Sequence, residues 1–383
     1  FTKLKPMEFL PFTRPDIDDE TIAAVADVLR SGWLTTGPKC RELEAALSLR
    51  AGGRPVRLAN SATAALEMAL RIAGIQSGDE VITTSLSWVA TSNVILAVGA
   101  TPVFVDIDPT TRLIDLDLVD AVVTPRTRAI VPVDLAGFPV DRDRLYELAG
   151  RHRLRVIEDA AQSQGARWRG RELGSFGDLV AFSFHPNKNM TTGEGGCLVM
   201  NSEEEAGQFE KLRLQGVTRF ADGTYDCDLL GGKANLTDIA AAIGLGQLRR
   251  LDQFNERRRE LARQYFVRLA GLPLELPPSD FEHGNWHMFQ VLLPAKLAEQ
   301  RGELIRMMRE RGIALGVHYP AIHRTSLYAR QMSTLPHLPH TESVAARILT
   351  LPLFPAMHDS DIERVTATLT KVLGCLLSGK FDR

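Results

Sequence analysis

Between about Pro55 and Met200 the chain alternates short, β-branched apolar runs with stretches of helical periodicity, and this constrains its fold more than any other feature. The strand candidates are Glu80–Thr84, Pro102–Asp106, Ala129–Val133, Arg155–Glu158, Leu179–Phe184 and Gly196–Met200. Between them lie the helix patterns Ala62–Ala73, Trp88–Val98, Leu116–Val122 and Asp141–His152. Strands that are apolar throughout, rather than alternating, are buried on both faces. Helices between them supply the crossovers of a largely parallel sheet. In such sheets ligands collect beyond the carboxyl ends of the strands, so polar residues just after these runs are the ones to watch.

A longer helix is expected to start near Leu236, capped by Asn235 or Thr237, with apolar spacing through Ile239, Ile243, Leu248 and Leu251. Pro273, Pro277 and Pro278 then mark a linker before a smaller mixed α/β region. A chain of 383 residues exceeds what one core commonly serves, and the expected division is 9–255 and 256–383.

With 45 Lys+Arg against 47 Asp+Glu, no basic surplus marks a nucleic-acid binder. The densest basic run, Arg249, Arg250, Arg257, Arg258 and Arg259, is interleaved with Leu251, Phe254, Leu261 and Tyr265, as on the solvated face of an amphipathic helix. No apolar run approaches the roughly 20 residues that span a bilayer, and Phe1–Pro6 shows no secretory pattern. Cys40, Cys197, Cys227 and Cys375 are scattered, as expected of thiols in a cytoplasmic protein rather than of disulfides or a zinc site.

Three motifs could carry chemistry. Asn60-Ser-Ala-Thr-Ala-Ala-Leu opens a helix after a strand. Free N–H groups there can hold a phosphate, with the Thr63 hydroxyl in support, although a simple N-cap is the commoner use of such residues. Val156-Ile-Glu-Asp-Ala-Ala-Gln ends a buried strand in acid. Asp159 there needs a cation, whether a pyridinium nitrogen, a salt-bridge partner or a metal, and the His/Asp/Glu companions of a metal site are missing. Phe182-Ser-Phe-His-Pro-Asn-Lys-Asn-Met-Thr-Thr-Gly-Glu-Gly-Gly places Ser183 and Lys188 in the turn after another strand. Most loop lysines are merely solvated, but one with a depressed pKa can form a Schiff base. Phosphate cradle, pyridinium carboxylate and lysine, in this order, make the minimal kit for pyridoxal phosphate.

These motifs, with Ser31-Gly-Trp-Leu-Thr-Thr-Gly-Pro, Gly78-Asp-Glu-Val-Ile-Thr, Ser87-Trp-Val-Ala-Thr-Ser-Asn, Val105-Asp-Ile-Asp and Asn235-Leu-Thr-Asp-Ile, resemble the DegT/DnrJ/StrS sugar-nucleotide aminotransferases from Phe9 to Pro355. The resemblance implies an α/β chain of the aspartate aminotransferase type (fold type I), with a large cofactor domain and a small C-terminal one. It implies a homodimer whose subunits share active sites, with glutamate as donor and 2-oxoglutarate as its product. Carried over, Lys188 holds the cofactor, Asp159 pairs with the ring nitrogen and Trp88 stacks on the ring. Ala62, Thr63 and Ser183 bind phosphate, completed by Asn235 of the partner subunit, and Gln162 meets the phenolic oxygen. Thr35, Tyr319 and His323 become candidates for touching the keto-sugar nucleotide; for Tyr319 and His323, packing at the domain junction is an equal alternative.

Within the family, Phe9-Leu-Pro-Phe-Thr-Arg-Pro, the Trp33 loop, Ser87-Trp88 and Leu351-Pro-Leu-Phe-Pro are most similar to members that form UDP-4-amino-4-deoxy-L-arabinose for lipid A modification in lipopolysaccharide biosynthesis. Gln162 departs from them, since they carry His there, and the segment from Leu214 to Gly232 differs from the usual sugar-pocket loop. The resemblance leaves room for a member that aminates another carbon. A sugar dehydratase of this scaffold would have His in place of Lys188, and a non-catalytic cofactor-binding regulator would not need the intact kit.

Overall fold

The computed structural model describes residues 9–332 and 334–379. Residues 1–8, where no leader pattern is expected, and 380–383, the end of the expected second domain, lie outside the described residues.

The strands in chain order are β1 (Val56–Ala59), β2 (Glu80–Thr84), β3 (Thr101–Val105), β4 (Thr127–Val131), β5 (Arg155–Asp159), a hairpin of β6 (Arg167–Trp168) and β7 (Arg171–Glu172), then β8 (Leu179–Ser183) and β9 (Gly196–Val199). A second hairpin pairs β10 (Val217–Arg219) with β11 (Tyr225–Cys227), and β12 (Phe289–Leu292) pairs antiparallel with β13 (Ile348–Leu351). Seven strands form one sheet in the order β1-β9-β8-β5-β4-β2-β3. Only β9 runs against its neighbours, so the mostly parallel sheet expected from the sequence is present with one reversed strand.

The helices are α1 (Asp19–Ser31), α2 (Pro38–Arg50), α3 (Ala62–Ile72), α4 (Ala90–Ala97), α5 (Arg142–His152), α6 (Glu203–Arg213), α7 (Asp238–Leu269), α8 (Arg301–Glu310), α9 (Ser326–Gln331), α10 (Pro339–Arg347) and α11 (Asp359–Ser378). The period-two geometry of strands sorts the sheet's apolar residues to its two faces. Val81, Ala129, Val131, Ile157, Leu179, Ala181 and Leu198 pack under α3, α4 and α6. Ile82, Ile130 and Val156 face α5 and α7, while Leu58, Val180, Phe182 and Cys197 face α2 and α7.

Two expectations are corrected here. The Leu116–Val122 helix is two short 3₁₀ turns, Leu116–Leu118 and Asp120–Val122, because the Asp115 side chain accepts from Asp117 N and closes a tight local turn. Arg258 is not on the solvated face of the basic run: it is buried and donates to the carbonyls of His287 and Leu353. The other arginines of that run pair with Glu20, Asp16, Glu260, Asp359 and Glu256. For the long helix, Thr237 rather than Asn235 is the cap, accepting from Ala240 N.

Candidate active site

A cavity of about 350 Å³ opens at the carboxyl ends of the parallel strands. Most of its lining follows from strand ends. β1 runs into α3, whose N-cap Ser61 accepts from Ala64 N at 3.1 Å, so the N–H groups of Ala62 and Thr63 have no intrahelical acceptor. Gly196 of β9 lies so close to that turn that a Cβ would fall 2.5 Å from Ala62 N, which only glycine permits. β2 leads to Ser87 and Trp88, β5 ends on Asp159, and β8 ends on Ser183 with Lys188 five residues further. The remaining wall comes from His318 and Tyr319, far along the chain.

Asp159 is buried, and its Oδ2 accepts from Thr91 Oγ1 at 2.6 Å and its Oδ1 from Ala161 N at 3.3 Å. Burial raises its pKa, against the Thr91 hydrogen bond and the charge of Lys188. No cation pairs with it within salt-bridge distance among the described residues. Burial lowers the Lys188 pKa to about 8, opposed by Asp159, and its ammonium makes no hydrogen bond or ion pair among the described residues. Gln162 anchors its Oε1 on Ala136 N at 2.8 Å, which leaves Nε2 facing the Tyr319 hydroxyl at 3.4 Å. Trp88 leaves 60% of its surface open and its ring centroid lies 6.0 Å from that of Tyr319. A large ring so exposed beside a cavity has a face available for stacking.

Beneath the cavity, Arg142 is enclosed between Asp134, at 2.7 Å, and Glu158, at 2.8 Å. Ser163 donates to Asp134 and Tyr146 to Glu158, so the network braces both flanks of the Asp159 strand end. The Lys188 loop is braced through Asn189. Its Nδ2 donates to Asn255 Oδ1 and the Asn285 carbonyl, so its Oδ1 must accept, from Nδ1–H of His287. His287 is therefore the Nδ1–H tautomer, held neutral chiefly by burial.

The structure brings Ala62, Thr63, Trp88, Asp159, Gln162, Ser183, Lys188 and Tyr319 to this one cavity. Thr35 and Asn235 do not line it. Thr35 is exposed, and Asn235 donates to Thr36 at 2.7 Å beside a separate cavity bordered by Arg213 and Arg219. His323 is fully buried with both ring nitrogens taken, by Ser85 at 2.7 Å and Glu342 at 3.0 Å, so it presents no free atom to a substrate. Sequence reasoning missed Thr91, His318 and the Arg142 network. The one available signal for Thr91 was its place a helical turn after Ser87 and Trp88. Arg142 had none, since arginine in a helix is ordinarily a surface residue.

These residues fit pyridoxal phosphate on their own chemistry. A buried carboxylate lacks a cation, a helix start has spare N–H donors for a phosphate, an amine has a depressed pKa, and an aromatic face stands open. Fold and cavity together define the class, fold type I of the pyridoxal-phosphate enzymes. The chain belongs to the DegT/DnrJ/EryC1/StrS aminotransferase family, whose profile it matches over residues 15–370. Among solved structures it is similar to Spr1654 of Streptococcus pneumoniae, described as a sugar aminotransferase, with 34% identity, coverage of 97% of this chain and 99% of that one, and a TM-score of 0.93. It is also similar to Helicobacter pylori PseC, an aminotransferase of pseudoaminic acid biosynthesis, at 29% identity, 96% and 100% coverage and TM-score 0.92. DesV of S. venezuelae matches at 37% identity, 96% and 99% coverage and TM-score 0.88. Among the described residues no helix is long and apolar enough to cross a membrane, and no group of acidic, His and Cys side chains could hold a metal ion.

Proposed function

We propose that the protein moves the amino group of glutamate to the 4-keto carbon of a UDP-linked pentose, giving UDP-4-amino-4-deoxy-L-arabinose. The carrying observation is the meeting of Asp159 and Lys188 in one cavity with the free α3 N-terminus. When bound, pyridoxal phosphate supplies an electron sink for the carbon that loses its proton. The backbone N–H groups of Ala62 and Thr63 and the Ser183 hydroxyl hold its phosphate. Asp159 keeps the ring nitrogen protonated, Gln162 Nε2 donates to the phenolic oxygen and Trp88 covers one face. Lys188 Nζ, neutral in a large share of molecules near pH 8, accepts the substrate proton and returns it. Asn235 of the partner subunit completes the phosphate site in a homodimer, and Tyr319 borders the sugar. Residues 9–255 then carry the cofactor and 256–383 close the cavity with Tyr319.

Support for a sugar comes from the structural relatives and from the polar mouth formed by His185, Asn187 and Glu194. Support for the pentose comes from the Phe9–Pro15 and Leu351–Pro355 segments. Gln162 favours a second reading, a 3-keto or other 4-keto UDP- or dTDP-hexose. The test has two stages. Glutamate should convert the yellow protein to the pyridoxamine form and release 2-oxoglutarate. A panel of UDP- and dTDP-keto-sugars, with products resolved by NMR, then identifies the sugar; turnover of hexoses alone overturns the pentose, and no response to glutamate overturns the donor.

A further inference from the structure

We propose that Thr91 is a positioning residue that aims Asp159 at the cofactor's ring nitrogen through a one-way chain of hydroxyl protons running from Ser87 to Thr91 to Asp159. The inference rests on the pyridoxal-phosphate reading above and adds a residue that reading does not use.

The direction of the chain follows from counting protons. Thr91 is fully buried in the first turn of α4 and has one hydroxyl hydrogen. Three oxygens lie within reach: Asp159 Oδ2 at 2.6 Å, Ser87 Oγ at 2.8 Å and the Trp88 carbonyl at 3.1 Å. The carboxylate is the charged acceptor and the nearest, so it takes the proton. Thr91 Oγ1 is then an acceptor toward Ser87, and the buried Ser87 hydroxyl must be the donor. Oδ2 is thereby tied to α4, whereas Oδ1 has only the long bond from Ala161 N at 3.3 Å. Oδ1 is left as the oxygen with capacity for a strong donor.

The groups facing Asp159 from the other elements do not replace this contact. Asp134, on the loop after β4, opposes its ionisation, and Lys188, after β8, favours it without touching it. Tyr319 is itself disfavoured from ionising by burial and by Asp159. Thr91 is the largest influence keeping the carboxyl ionised against burial. Because Trp88 lies two residues before the same helix and its carbonyl accepts from Thr91 N, the stacking ring and the donor to Asp159 are set by one turn of backbone.

The experiment compares equilibrium binding of pyridoxal phosphate with that of its 1-deaza analogue, in which a carbon replaces the ring nitrogen. Thr91→Val removes the proton with little change of shape, and Thr91→Ser keeps it. For pyridoxal phosphate, Thr91→Val should weaken binding by about ten- to a hundredfold, the weight of a charge-assisted hydrogen bond, with Thr91→Ser close to wild type. For the deaza analogue the valine variant and the wild type should bind alike. Equal losses for both compounds would reduce Thr91 to a structural role, and undiminished pyridoxal-phosphate binding by the valine variant would also overturn the proposal. Should Thr91→Val fail to fold, Ser87→Ala carries the same test, with about a threefold loss expected for pyridoxal phosphate alone. A wild-type protein that binds neither compound overturns the cofactor reading itself, and this proposal with it.

Discussion

Ser85, the residue after β2, and His323, four residues beyond Tyr319, are joined by two hydrogen bonds: Ser85 Oγ accepts from the His323 backbone N–H at 3.0 Å and meets its Nδ1 at 2.7 Å. Glu342 as a carboxylate can only accept, so Nε2 of His323 carries the hydrogen and Nδ1 takes the Ser85 proton. The trio resembles the order of a hydrolytic triad, but Ser85 and His323 are fully buried and meet no cavity. It is a clasp between the end of β2, just before Trp88, and the segment that carries Tyr319.

His323→Ala removes a packed ring and orphans a buried hydroxyl, so it should lower unfolding free energy by about 2–4 kcal/mol. Denaturant unfolding measures this. A variant of undiminished stability whose KM for the sugar nucleotide alone rises would return His323 to the role of substrate contact.

Lys188→Ala should abolish turnover and the visible absorbance of the protein–cofactor adduct, since no other amine lines the cavity among the described residues. Retained transamination by the purified variant would remove Lys188 from the centre of the site.

The depressed Lys188 pKa sets a pH dependence. With a value near 8 instead of 10.5, half of these amines are neutral at pH 8, against roughly one in three hundred for an ordinary lysine. In cofactor-free protein the rate of Lys188 capture by pyridoxal phosphate should rise through pH about 8 and then level. The stability sign runs the same way. The fold disfavours charged Lys188, so its unfavourable contribution is complete below pH about 8 and fades as pH rises toward 10.5. A midpoint near 10.5 in the capture rate would contradict the buried environment.

Asp159→Asn keeps the shape and removes the charge. The rate should fall by about a hundredfold or more, on the order of 3 kcal/mol of lost electrostatic stabilisation at the reacting centre. Single-turnover kinetics with glutamate would report it, and near-normal rates would mean that another group holds the ring proton.

Arg142→Met leaves Asp134 and Glu158 buried without their cation and should cost about 3–5 kcal/mol at neutral pH. Burial already holds the Glu158 pKa above its ordinary value. Such a group contributes stability that is fully present below its unfolded pKa and lost as pH rises through the folded one, so the deficit of the variant should shrink between pH 7 and pH 5. A deficit that grows on acidification would show that these carboxyls stay ionised without Arg142.

The sheet was legible because its strands are apolar on both faces, a local pattern that only layered burial satisfies: Glu80–Thr84 was read to the residue, and Leu179–Phe184 to within one. Ala62, Thr63, Asp159, Ser183 and Lys188 were legible for a related reason, since each ends or follows a strand, and parallel strands deliver their ends to one edge. Thr35 and Asn235 lie off this cavity, because Thr35 is exposed and Asn235 is turned to Thr36 beside a separate one.

Other features depend on contacts across the fold, and no local period encodes those. Arg258 looks like any member of a basic run until α7 packs against the 285–293 segment. Arg142 becomes a buried ion only because β4 and β5 set Asp134 and Glu158 on either side of it. His323 was as good a substrate contact as Tyr319 in sequence, and packing separated them by turning one ring into the cavity and the other into Ser85. Thus strand alternation and residue chemistry by themselves determined the sheet and singled out Thr63, Asp159, Ser183 and Lys188 as candidates to hold a cofactor. Only the tertiary structure decided which polar groups are spent on one another and which remain free to act, because that depends on which partners burial brings within hydrogen-bond distance.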